Sequence, residues 1–165
     1  MRTLQALALT ALGYTALIAA GAWAQQDEFL EAHNVERESV GVAGLVWDGE
    51  VAAYAQSYAE QQRDNDACAD LQHSDGSYGE NLYWASAVSI APADAVNSWI
   101  SEKQFYDYQA NSCAAGENMC NHYTQVVWAD SIRLGCASVA CNNGGGTFVI
   151  CNYDPPGNVF NERPY

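Results

Sequence analysis

Arg133-Leu-Gly-Cys-Ala-Ser-Val-Ala-Cys-Asn-Asn-Gly-Gly-Gly-Thr-Phe-Val-Ile-Cys-Asn-Tyr153 is the stretch that decides the fold. Arg133 to Ala140 and Thr147 to Tyr153 are strand-length runs, the second rich in β-branched and aromatic residues, and both predict strands. Asn142-Asn-Gly-Gly-Gly146 between them is a turn signal, because Asn and Gly tolerate the positive φ that tight connections need. Cys136 and Cys151 fall one on each predicted strand. An isolated hairpin is marginal in water, so the rest of the chain must supply its cover.

Upstream the period changes to helical. Phe29, Ala32 and His33 lie at i, i+3, i+4 and predict a first helix, with a short apolar stripe because the next position is Glu36. Asp48 is placed to cap a second helix whose stripe is Val51, Tyr54, Ala55, Tyr58 and Ala59. A short helix is expected around Gly79 to Ser86. Pro92 suits a first turn, followed by Val96, Trp99, Ile100 and Lys103 on a helical period. Tyr123 to Trp128 fits either a strand or a short helix. Helices before, a hairpin after, no internal repeat and no low-complexity linker imply an α+β three-layer α-β-α sandwich with a small, mostly antiparallel sheet.

The N-terminus bears on compartment. Met1-Arg2, an apolar run from Leu4 to Ala20 and the small-x-small step Ala22-Trp23-Ala24 predict a secretory signal over residues 1–24. Removing those 24 of 165 residues leaves 141, enough for one domain with a real core, residues 25–165. All six cysteines, Cys68, Cys113, Cys120, Cys136, Cys141 and Cys151, lie in that part. An even count in an exported chain reads as three disulfides, for which 15 pairings exist; no C-x-x-C pair favours a thiolate metal site. With 20 acidic and 6 basic residues the formal charge is −14, and −15 once Arg2 is lost. Such a surface repels phosphate backbones and anionic headgroups, so nucleic acid is excluded as a partner. Stable membrane insertion is not expected, and neither is N-glycosylation, since no N-x-S/T occurs. A soluble monomer is the expectation.

Several longer motifs resemble one family in the order they occur. His122-Tyr-Thr-Gln-Val-Val-Trp-Ala-Asp-Ser131 and Phe148-Val-Ile-Cys-Asn-Tyr-Asp-Pro-Pro-Gly-Asn-Val159 are similar to the two signatures of the CAP superfamily (cysteine-rich secretory proteins, antigen 5, pathogenesis-related class 1). Arg133 to Gly144, Leu71 to Leu82, Ala95 to Lys103 and Ala32 to Arg37 resemble the acidic plant class 1 members, so the likeness spans essentially the mature chain. The resemblance implies the pairs Cys68–Cys141, Cys113–Cys120 and Cys136–Cys151. One departure is Asn121, where the family has glycine or a charged residue; positive φ is one reason for glycine there, and Asn is the next most tolerant residue. The extra cysteine-rich module of animal members is not expected, and with it goes ion-channel blockade.

The resemblance further implies that His73, Glu80, Glu102 and His122 meet in one cleft. Two imidazoles and two carboxylates can order water, share protons, or hold a divalent metal such as zinc, with no cofactor required. The plainer reading is a structural polar network. A hydrolase would need an activated nucleophile; Ser74 is adjacent to His73 in the chain, and no G-x-S-x-G motif occurs. No catalytic residue is therefore assigned. His33 reads as a structural helix residue. Phe105, Tyr106 and Tyr108 lie where relatives bind sterols or other lipids, although packing alone also suits them, and Trp99 sits on a core stripe. The last residues, Pro155 to Tyr165, resemble a peptide that some plant members release as a defence signal; the plain alternative is a tail packed on the sheet.

The functional expectation is a secreted plant defence protein, apoplastic or vacuolar, with antimicrobial and antifungal action through binding of pathogen sterols or related lipids. The alternatives are a precursor of a C-terminal signalling peptide and a metal-dependent hydrolase using the His/Glu tetrad.

Overall fold

The sheet of the predicted hairpin forms the centre of the molecule. The computed structural model describes residues 23–66, 68, 70–114 and 120–165. The predicted leader therefore lies outside the described residues, apart from Trp23 and Ala24, which open the first helix, α1, over 23–39. There follow β1 (Val46–Trp47), α2 (Gly49–Asp66), β2 (Gly79–Ala85) and α3 (Pro92–Ile100). A 3-10 turn, Ser101–Phe105, leads into the small ribbon β3 (Tyr106–Asp107) and β4 (Ser112–Cys113), and then α4 (Asn121–Val126), β5 (Arg133–Ala140) and β6 (Thr147–Asp154).

The sheet order is β1-β5-β6-β2, antiparallel except for the β1·β5 pair. Side chains alternate along β5 and β6, so each face carries its own core. Leu134, Cys136, Val149, Cys151 and Tyr153 pack with Phe29, Trp99 and Tyr123 from α1, α3 and α4. Ala137, Val139, Phe148 and Ile150 pack with Ala55 and Ala59 of α2. Helices cover both faces, as expected. The alanines let α2 lie close, and Gly135 lets it lie closer still. A Cβ there would stand 2.1 Å from the Ala52 nitrogen, a distance no side chain tolerates.

The Asp48 carboxylate accepts from the amides of Glu50 (2.8 Å) and Val51 (3.1 Å), capping α2 as the sequence implies. Tyr123 to Trp128, ambiguous by period, begins as α4. The helix expected at Gly79 to Ser86 is a strand. β2 pairs with β6 along its whole length, from Gly79↔Tyr153 to Ala85↔Thr147; the bulky run Leu82-Tyr83-Trp84 suits a pleated surface, and the pairing overrides any local helical tendency. Asn121 is helical, the first residue of α4, and is not among the residues at positive φ. The left-handed conformation anticipated there is not required.

Three disulfides join Cys68–Cys141, Cys113–Cys120 and Cys136–Cys151, spanning 73, 7 and 15 positions. Among the described residues no helix is long and apolar enough to cross a membrane.

Arg37 is fully buried on α1, and four backbone carbonyls hold its guanidinium. Nε donates to Ala43 (2.7 Å), Nη1 to Val126 (3.0 Å) and Trp128 (2.8 Å), and Nη2 to Ser131 (3.0 Å). Burial lowers its pKa to about 10, which leaves it cationic at neutral pH. Arg37→Met removes the donors while keeping most of the volume, and each buried acceptor left bare costs roughly 1–3 kcal/mol. The expected loss is on the order of 4 kcal/mol in urea unfolding without reductant. Arg37→Lys should recover little of it, since an ammonium cannot span four dispersed carbonyls. A methionine variant within about 1 kcal/mol of the parent would refute the role.

Candidate functional site

Two cavities flank the C-terminal segment. The first is a cleft of about 340 Å³ whose walls include His73, Glu80, His122 and Gln125, with Pro156 to Asn158 on the tail side. His73 follows α2, and two tyrosines of that helix steady its segment. Tyr58 Oη donates to the Gln72 carbonyl (2.7 Å), and Tyr54 Oη to Ser74 Oγ (2.9 Å). Glu80 sits on β2, where Oε1 meets His73 Nδ1 at 2.8 Å. Ser74 Oγ donates to Oε2 at 2.5 Å, and Asn152 Nδ2 donates to the same oxygen at 3.1 Å.

The second pair is built alike. His122 Nδ1 lies 2.7 Å from Glu102 Oε1, while the backbone amide of His122 donates to Oε2 (3.0 Å). Trp99, buried at the core, stacks beside the His122 ring at 6.5 Å and 19°, and its indole nitrogen donates to the Leu82 carbonyl. His73, Glu80 and His122 thus share the cleft, and Glu102 braces His122 from the 3-10 turn without lining it. Each imidazole engages a carboxylate through Nδ1, which leaves Nε2 as its remaining ligand atom. Among the described residues no group of three or more His, Cys, Asp or Glu side chains could hold a metal ion.

The second cavity is a groove of about 420 Å³. Tyr106, the Cys113–Cys120 bridge and Trp128 line one side, and the tail residues Val159, Phe160 and Pro164 another, with Asn111, Asn121, Thr124 and Asn158 among the polar groups. Of the three aromatics singled out by sequence, only Tyr106 lines it. Tyr108 stacks on Tyr165 (5.0 Å, 21°) and lies under the Arg163 guanidinium, while Phe105 is half-buried before β3. Trp128 and the tail wall were not anticipated as site residues. A turn at Phe160 and Asn161, closed by the Glu162 amide donating to the Val159 carbonyl (3.0 Å), aims the tail wall at the groove, with Asn161 at positive φ.

The protein matches the sequence profile of the cysteine-rich secretory protein family, CAP, over residues 30–153. The chain belongs to the CAP family. It is 54% identical over 140 residues to the pathogenesis-related protein PR-1 of Medicago truncatula, covering 85% of this chain and 79% of that one. Among solved structures, Na-ASP-1 superposes with a TM-score of 0.68 at 29% identity, across 86% of this chain but only 41% of its own. NaASP2, solved with Zn2+, gives 0.64 at 26%, across 84% and 83%. This CAP domain thus combines a sequence close to a plant pathogenesis-related protein with a framework shared by structures of under 30% identity.

His33, the third histidine, lies outside both cavities, in the core. Nδ1 donates to the Phe29 carbonyl (2.7 Å), so Nε2 accepts from Tyr153 Oη (2.8 Å), which in turn accepts from Asn81 Nδ2 (3.2 Å). Burial, reinforced by the nearby Arg37 charge, lowers its pKa from 6.5 to about 4. The folded state therefore binds fewer protons than the unfolded state between those values, and stability falls as pH drops through that window. The expected loss from His33 is about 3 kcal/mol between pH 7 and pH 4. His33→Gln should flatten that part of the pH–stability curve; an unchanged slope would show that other groups carry it.

Proposed function

We propose that this CAP protein is a secreted plant defence protein that acts by binding a sterol or related lipid of a pathogen in the groove beside Tyr106. The observation that carries this reading is the groove itself. Its 420 Å³ lies within the range of roughly 300–1,000 Å³ usual for small-molecule sites, and a mixed lining of aromatic walls with a few convergent amides suits an apolar body carrying a hydroxyl. The defence role draws on the pathogenesis-related relatives, and export on the predicted signal together with three disulfides, which persist in oxidising compartments. Binding is favoured over catalysis because Ser74, the candidate nucleophile of the cleft, donates to Glu80 and not to an imidazole.

Direct titration of the oxidised mature protein with a sterol, against a fatty acid as comparison, tests the reading. Saturable sterol binding is expected, weakened about tenfold or more in Tyr106→Ala with Phe160→Ala (about 1.4 kcal/mol) and unchanged in Phe105→Ala. Absence of sterol binding, or equal binding by the double variant, would sink the proposal.

A second reading is reversible zinc binding at the other cavity. Metal-ligating histidines are commonly backed by a carboxylate on the far ring nitrogen, and both His73 and His122 are so backed; NaASP2 was solved with the ion. Two imidazoles leave the remaining positions to water, so this metal should be exchangeable. Calorimetric titration with zinc should show one site lost in His73→Ala and in His122→Ala, and retention in either variant would exclude it.

A further inference from the structure

Residues 155–165 meet the body of the domain as a docked ligand meets a receptor. Gly157 donates its amide to Gln125 Oε1 (3.0 Å), and Gln125 is itself buried. The approach is close enough that a Cβ on Gly157 would fall 2.7 Å from the Trp128 ring and from Gln125 Nε2, so a glycine backbone alone fits that slot. Asn158 is clamped twice, with Oδ1 accepting from Thr124 Oγ1 (2.6 Å) and Nδ2 donating to the Asn121 carbonyl (2.9 Å). Asn111 Nδ2 donates to the Glu162 carbonyl (3.0 Å), and the Ala129 amide donates to the carbonyl of buried Pro164 (2.7 Å). At the end, Arg163 donates to the carbonyls of Tyr108 and Gln109, and the Tyr165 ring enters an aromatic cluster with Tyr106, Tyr108 and the Tyr123 hydroxyl.

These contacts are distributed along the segment from Gly157 to Tyr165, and they use side chains, backbone slots and an aromatic cluster in the manner of peptide recognition. None of them uses an atom of Asp154 or Pro155. We propose that the body carries a peptide-binding site for a chain end of the form Gly-Asn, four residues, Arg-Pro-Tyr, and that a cut between Asp154 and Pro155 leaves the peptide bound. Release of the segment then requires a second event after cleavage, displacement by a competing ligand or a change of solvent. The site stands independently of the lipid reading.

The test is made in the full, disulfide-bonded chain, with a protease recognition sequence inserted between Pro155 and Pro156, which are both exposed. After complete cleavage, verified under denaturing conditions, the peptide should co-elute with the body in native gel filtration at micromolar concentration. The same cut chain carrying Arg163→Ala and Tyr165→Ala should lose it. A parent that loses the peptide in one pass, or a variant that keeps it equally well, overturns the proposal. Amide hydrogen exchange on the natural, uncut chain gives a second measurement that does not rely on the insertion. The Gly157 and Ala129 amides should exchange slowly and be accelerated together by Tyr165→Ala; rapid exchange of both in the parent overturns the proposal. Neither readout contains a lipid, so failure of this site and failure of the groove as a lipid site are separate results.

Discussion

A buried cation held by backbone carbonyls braces this domain. The Arg37 guanidinium lies in the core against four carbonyl oxygens, two of which, Val126 and Trp128, belong to the C-terminal end of α4 and the residues just after it. That end of a helix carries unsatisfied acceptors and the negative pole of its dipole, so the pairing satisfies both partners and fixes α1 against α4. Much of the functional architecture hangs on α4. His122 projects from its first turn, Gln125 from its last, and Trp128 from the chain leaving it. One arginine on the first helix thereby registers the cleft, the groove and the seat of the tail.

The cleft shows the same economy of connection. Asn81 on β2 donates to the His122 carbonyl and to Tyr153, and Tyr153 donates on to His33. Tyr54 and Tyr58, half-buried positions of the α2 stripe, position the loop that bears His73. Each imidazole of the cleft is thus oriented by a carboxylate on one side and by a core-anchored segment on the other. Such bracing fixes the tautomer and the direction of the remaining ring nitrogen. It serves any use of that nitrogen, whether toward water or a metal ion.

How much of this was legible in the sequence depends on which forces set each element. The hairpin, the Asp48 cap and the proline-led α3 follow from local chemistry, and these appear where the pattern puts them. The stripe of α1 looked short because an apolar template ends at Glu36, whereas the buried face runs Phe29, His33, Arg37; its last two members are polar groups satisfied by distant carbonyls and a phenol, which no periodicity reports. β2 is not legible as a strand because its strand state is conferred by β6, a distant segment that it meets in such pairs as Asn81↔Cys151. The meeting of His73, Glu80, Glu102 and His122 was implied by family resemblance alone, since their separations in sequence carry no local metal or catalytic motif. The groove is legible only in part: Tyr106 belongs to it, but Tyr108, itself exposed, is turned against Tyr165 and Arg163, contacts set by a chain end whose docking the sequence does not reveal.

That chain end couples the two cavities, and with them the two functional readings. Asn158 and Asn121 border both cavities, so the Asn158 clamp is the partition between them, and the tail supplies a wall to each. If the groove holds a lipid, Val159, Phe160 and Pro164 are part of the container, and a protein that has lost residues 155–165 has an open trough in place of a site. If the tail is a signal, its departure strips Tyr106, Tyr108 and Tyr123 of their cover and exposes apolar surface to water, an unfavourable change that a groove ligand resting on the tail would make more so. Ligand and emitted peptide therefore oppose one another by linkage: whatever binds the walled groove holds the tail in place, and whatever removes the tail discharges the groove. On the proposed reading, lipid retention and loss of the tail exclude one another, and the contacts around Asn158 and Tyr165 are where the two meet.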